Sequence, residues 1–69
     1  MKVTEQAVLE TIKELSFYPQ KIRDEAILEE LLDKTELQFV LATGLGILIS
    51  DAEMETVHTV RDLVDRCLL

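Results

Sequence analysis

Apolar residues recur along the first stretch of the chain at Val8, Ile12 and Leu15, the i, i+4, i+7 spacing of one helical face. Thr4 is placed to cap that helix, and Glu5 in its first turn favours the positive end of the helix dipole. Ser16 to Tyr18 and then Pro19 end it, because the residue before a proline disfavours α geometry. A second helical stripe is formed by Ile27, Leu28, Leu31 and Leu32 and extended by Phe39, Leu41 and Ala42. Asp24, followed by Glu25, is the expected N-cap, and the stripe is expected to run as one helix through Leu31–Leu32. Gly44 and Gly46 are the only glycines, and one of them is expected to be its C-cap. The segment Leu45 to Ile49 has strand-like composition but no ladder partner, so it reads as an extended connector buried against the helices. Ser50-Asp51-Ala52-Glu53 has the form of a capping box opening a short third helix. Thr59, with Asp62 three residues later, opens a last helix whose core face is Val60, Leu63, Val64 and Cys67. The pattern predicts an all-α four-helix bundle with helices near 4–15, 24–43, 50–56 and 59–67, in one domain spanning 1–69.

Composition narrows what such a bundle does. At 48% hydrophobic residues the chain is too apolar to be disordered, yet its 69 residues bury only a modest core. Fourteen acidic side chains face seven basic ones, a net charge of −7. Phosphate binding needs a positive footprint, so nucleic acid is excluded as a partner. The natural complement is a basic protein surface, although plain solubility accounts for the same charge. The single cysteine forms neither an internal disulfide nor a multi-cysteine metal site, which fits a reduced, cytoplasmic setting. No basic segment followed by an apolar run opens the chain, so no signal peptide is expected. The longest apolar stretch, Gly44 to Ile49, is too short to span a bilayer, and no membrane is expected.

Candidate chemistry is sparse. His58 stands alone beside the last helix cap, which suits a surface position rather than a metal ligand, and no metal site is expected. Cys67 lies on a core stripe and reads as a small buried hydrophobe. Phe17 and Tyr18 read as loop plugs over the bundle. Paired carboxylates need a pocket that separates their pKa values for acid–base work, so no catalytic residue and no enzymatic activity are expected.

Two stretches carry a family resemblance. One is Leu45 to Glu53, reading leucine-glycine-isoleucine-leucine-isoleucine-serine-aspartate-alanine-glutamate. The other is Thr59 to Asp65, reading threonine-valine-arginine-aspartate-leucine-valine-aspartate. Together they resemble the acyl carrier protein family, which shows a phenylalanine-glycine-isoleucine-x-isoleucine segment, a short acidic helix, and a threonine-valine-x-aspartate-leucine-valine helix. Upstream, Ala26 to Leu31 looks like the loop before the family's recognition helix, Leu32 to Leu37 like the start of that helix, and Leu15 to Ile22 like the end of its first helix. The resemblance implies a carrier-protein-like four-helix bundle. It also implies that the acids Glu29, Glu30, Asp33 and Glu36 dock a basic patch on a partner protein. An ordinary solvated helix face accounts for these acids somewhat better than a docking role does.

The family's defining glycine-x-aspartate-serine run is missing. Its serine hydroxyl bears phosphopantetheine in the family. Here the expected attachment region falls at Leu31 and Leu32. One alignment deletes the run between them, an ungapped one places Glu30 and Leu31 at the aspartate and serine, and a third places Lys34 at the serine. None supplies an oxygen nucleophile. The only serines, Ser16 and Ser50, lack the family's context. No cofactor is therefore expected. The reading is a non-carrying interaction module of an acyl or peptidyl assembly system. The alternatives are a genuine carrier with an unusual attachment site, or a structural subunit that self-associates through apolar surface on the second helix.

Overall fold

The Thr4 hydroxyl accepts the Ala7 backbone N–H at 3.2 Å and starts helix α1, Glu5–Leu15. The computed structural model describes residues 3–69. Val8 and Ile12 of α1 are fully buried, as their spacing predicts. Ser16 turns extended and caps the helix through its N–H, which donates to the Ile12 carbonyl at 2.9 Å. A single 3-10 turn, Pro19–Lys21, follows.

The expected continuous helix over 24–43 is overturned. Helix α2 is one turn, Leu28–Leu31, and helix α3 begins separately at Lys34–Val40. Between them Leu32 is fully extended at φ −158°, ψ 175°. Asp24 is not an N-cap, because its backbone belongs to a different partner. The Arg61 N–H donates to the Asp24 carbonyl at 2.9 Å, and the Val60 N–H to the Ala26 carbonyl at 3.0 Å. Leu28 in turn donates to the His58 carbonyl at 2.8 Å, around an isolated antiparallel bridge between Ile27 and Thr59. These bonds satisfy the first backbone donors of the last helix, which have no partner inside it. Residues 24–27 cannot serve those donors and be helical at once.

The break between α2 and α3 has a packing cause. At about 100° per residue, Leu28 and Leu37 would lie roughly 180° apart on one unbroken helix. Both are fully buried in the structure, as is Leu41. The extended residue at Leu32 re-aims α3, so that Leu37 and Leu41 join Leu28, Leu31 and Leu32 in one core. Burying each of these side chains is worth about 1.5–3 kcal/mol, more than the few backbone bonds that the break forgoes. Phe39 is displaced as a consequence. On an unbroken helix it would share the face of Leu28, whereas here it stands 63% exposed and does not continue the apolar surface.

Helix α3 widens into a π-helical segment, Leu41–Leu45, ended by Gly46 at φ 68°. The Leu41 carbonyl accepts from Gly46 and, at 3.0 Å, from Ile47. The left-handed geometry at Gly46 suits glycine, which meets the C-cap expectation. The connector that follows has no regular secondary structure, with Ile49 buried but Leu48 exposed. Helix α4, Asp51–Thr56, and helix α5, Val60–Leu68, open with the two capping boxes expected at Ser50/Glu53 and Thr59/Asp62. Helix α1 packs against α3 and α5, and Val60, Leu63 and Val64 complete the core. The described residues are therefore all-α, with no strand among them. No described helix is long and apolar enough to cross a membrane.

Arg61 fastens three parts of the chain outside the core. Its guanidinium lies 3.2 Å from Glu5 on α1, 3.7 Å from Asp24 and 3.2 Å from Asp65 on α5. The expectation that Phe17 and Tyr18 plug the bundle fails, since both side chains are exposed. That loop is held by its backbone instead. The Phe17 N–H donates to the Leu31 carbonyl at 2.8 Å and caps the end of α2.

Candidate functional site

Leu31 and Leu32, where the resemblance leads one to expect the attachment region, are each only 3% exposed. They are core side chains, and neither offers an oxygen to a modifying enzyme. Lys34, the other alignment's candidate, reaches across to α4, where its Nζ donates to the Met54 and Val57 carbonyls, both at 2.6 Å. The two serines are also engaged. The Ser16 hydroxyl accepts from the Tyr18 N–H at 3.0 Å, and the Ser50 hydroxyl from the Glu53 N–H at 3.2 Å.

The four candidate docking acids lie on the α2–α3 segment but have different local roles. All four are exposed. Glu29 lies 3.7 Å from Lys34 Nζ and 3.9 Å from His58 Nδ1. Asp33 is the N-cap of α3, its carboxylate accepting the Thr35 N–H at 2.8 Å. Glu30 and Glu36 have no ion-pair or hydrogen-bond partner among the described residues. Glu30 borders a cavity of about 690 Å³, beside Tyr18, Lys21, Arg23 and Ile27. Lys21 Nζ sits 4.8 Å above the Tyr18 ring, a cation–π contact on that cavity's rim.

A second surface escapes the sequence reading. Thr35, Gln38 and Phe39 of α3 and Ala42 of the π-helical segment line a concavity of about 570 Å³ together with Leu48, Ile49 and Ser50. A smaller one, about 220 Å³, continues from Thr35 and Gln38 toward Asp51, Met54 and Glu55. The two share Thr35 and Gln38 and line the furrow between α3 and α4 as separate hollows. Gln38 crosses it, its side-chain amide donating to the Ile49 carbonyl at 2.7 Å and to Asp51 Oδ1 at 3.0 Å. Phe39 and Leu48, at 63% and 78% exposed, stand on its walls. The angular offset between Leu28 and Leu37 was the available signal, because it turns Phe39 away from the core.

Glu53 lines the same furrow and is the most perturbed carboxylate among the described residues. Arg66 Nε lies 2.6 Å from its Oε2 and Arg66 Nη2 3.1 Å from its Oε1. The Arg66 hydrogen bonds, and then the Ser50 N–H, hold the Glu53 carboxyl down at about 2. Asp62 is also lowered, first by the Thr59 N–H and then by the His58 N–H, in the expected cap-adjacent arrangement. Cys67 is half-buried, and burial raises its thiol despite the neighbouring Arg66. No cluster of three or more His, Cys, Asp or Glu side chains fit to hold a metal occurs among the described residues.

No known protein family, curated protein or solved structure matches the chain.

Proposed function

We propose that the chain is a carrier-protein-like helical domain that bears no phosphopantetheine arm and works by docking the basic surface of a partner protein in an acyl or peptidyl assembly system. The setting that suits it is a reducing cytoplasm, where Cys67 stays a free thiol. The observation that carries the reading is the burial of Leu31 and Leu32. Attachment needs a hydroxyl exposed at a helix N-terminus, and this position instead contributes two core side chains. Further support comes from the order of the elements. A long first helix, a helix after the Leu32 break, a short acidic helix and a final Thr59-capped helix follow the succession that the resemblance implies. The exposed carboxylates of Glu29, Glu30 and Glu36 supply the negative surface. Asp33 belongs to the same surface but is also required as a cap.

Incubation with coenzyme A and a phosphopantetheinyl transferase tests the absence of an arm. The intact mass is expected to stay unchanged while a competent carrier protein in the same reaction is modified. A stoichiometric mass gain localised to any residue would overturn the reading.

A further inference from the structure

We infer that the cavity between the Pro19–Lys21 turn and α2 binds a small organic anion whose body is a compact apolar ring. This goes beyond the docking reading above and does not depend on it. The cavity measures about 690 Å³, within the roughly 300–1,000 Å³ of small-molecule sites. Part of its lining is apolar, supplied by Ile22, Ala26, Ile27 and Leu31. The rest carries Lys21, Arg23 and the Gln20 amide. Glu30 is the one carboxylate in the lining, so two cations less one anion leave it positive. The chain as a whole stands at −7. A positive cavity in an acidic molecule suits one small anion, because a polyanion would also meet the surrounding carboxylates.

Both cations are open to a ligand. Lys21 has no carboxylate partner among the described residues, and its Nζ rests 4.8 Å over the Tyr18 ring. Arg23 meets Glu25 at 3.5 Å, with the two side chains 73% and 72% exposed. An exposed pair of this kind is weak and gives way to a ligand anion. Lys34, Arg61 and Arg66, by contrast, are held between elements of the fold. Tyr18 adds an aromatic surface for the apolar body, and Ile27 remains 39% exposed beside it. The floor ends at Leu31, a 3% exposed member of the core, so a compact ring fits better than a long alkyl chain. The loop that bears the cations is already folded. The Lys21 N–H donates to the Tyr18 carbonyl at 2.9 Å and the Ala26 N–H to the Arg23 carbonyl at 3.0 Å. Its two ends are tied down by Phe17 to the Leu31 carbonyl and by Val60 to the Ala26 carbonyl. Preorganisation of this kind lowers the ordering cost of binding.

The test uses anilinonaphthalene sulfonate and its uncharged parent, phenylnaphthylamine, which share one ring body and brighten in apolar sites. Tyr18 is the only tyrosine and the chain has no tryptophan, so quenching of tyrosine emission reports this cavity. Saturable one-to-one binding of the sulfonate with such quenching is expected, and binding of the parent about tenfold weaker. Lys21→Gln/Arg23→Gln is expected to weaken the sulfonate about tenfold and to leave the parent unchanged. Phe39→Ala/Leu48→Ala, which alters exposed apolar side chains elsewhere, is expected to change neither. All four substituted side chains are exposed, and circular dichroism is expected to show an unchanged fold. No saturable binding, equal affinity for the two probes, or full sulfonate binding by the Lys21/Arg23 variant overturns the proposal. Loss of binding in the Phe39/Leu48 variant places the probe in the furrow between α3 and α4 and overturns it as well.

Discussion

Lys34 is the first residue of α3, yet its side chain serves α4. Its Nζ donates at 2.6 Å to both Met54 and Val57 carbonyls at the end of α4, where the Met54 carbonyl also accepts from the Val57 N–H at 3.3 Å and the Val57 carbonyl lies beyond the helical ladder. The side chain is 17% exposed, so water cannot readily replace it. Lys34→Met keeps the apolar stem and removes the donors. It is expected to cost about 1–3 kcal/mol, the range for leaving one buried acceptor, the Val57 carbonyl, unpaired. In a domain of this size each kcal/mol lowers Tm by roughly 4–8 °C, which a thermal melt resolves. Glu53 acts at the same scale through pH. Its carboxyl is at about 2 in the fold, against an ordinary 4.5. A folded value below the unfolded one means that the ion pair with Arg66 contributes fully above about pH 4.5 and is lost as pH falls toward 2. Glu53→Gln is expected to flatten the acid limb of a stability–pH curve over that interval and to leave the remaining slope to groups such as Asp62. An acid limb identical to wild type would show that the pair contributes nothing in solution.

At the scale of elements, the end of α3 separates two causes of cost cleanly. Gly46 has φ 68°, and a Cβ placed there would meet nothing within 4 Å. Gly46→Ala therefore pays no steric clash with neighbours, only the left-handed backbone. A loss of about 1–2 kcal/mol is expected in chemical denaturation, with an unchanged m-value. This stop was readable from the sequence, as were the starts of α1, α4 and α5. Their caps at Thr4, Ser50 and Thr59 act within three residues, so local pattern suffices. The course of residues 24–33 was not read correctly, because its deciding partners are distant. The carbonyls of Asp24 and Ala26 are claimed by Arg61 and Val60. The break at Leu32 was still countable, since Leu28 and Leu37 cannot face one core on an unbroken helix. The candidate site divides in the same way. The missing serine and the acids are matters of composition and were legible. The furrow depends on how far α3 is turned, and so Phe39 and Leu48 were not identified as neighbours.

At the scale of the whole molecule, charge is unevenly committed. Arg61 and Arg66 are taken up by Glu5, Asp65 and Glu53, while Glu30 and Glu36 stay without partners among the described residues. A field from such carboxylates acts over a distance set by salt, about 30 Å at 0.01 M and about 8 Å at physiological ionic strength. If partner docking is steered by it, Glu30→Lys/Glu36→Lys is expected to slow association several-fold at low salt and to leave dissociation nearly unchanged. The difference from wild type should shrink as salt rises. Asp33 is left out of the variant because it caps α3. Its reversal would cost about 1 kcal/mol of helix stability and confuse recognition with folding. Glu30 and Glu36 are exposed but lie in the first turns of α2 and α3, so their reversal is expected to cost about 0.3–1 kcal/mol each and to lower Tm, and Glu30→Gln/Glu36→Gln, with helical circular dichroism, serves as the milder control. Association measured by stopped flow or surface capture against a partner recovered by pull-down decides the matter. Equal on-rates for the variant and wild type at low salt, with the fold intact, would reduce the acidic face to a means of keeping the chain soluble.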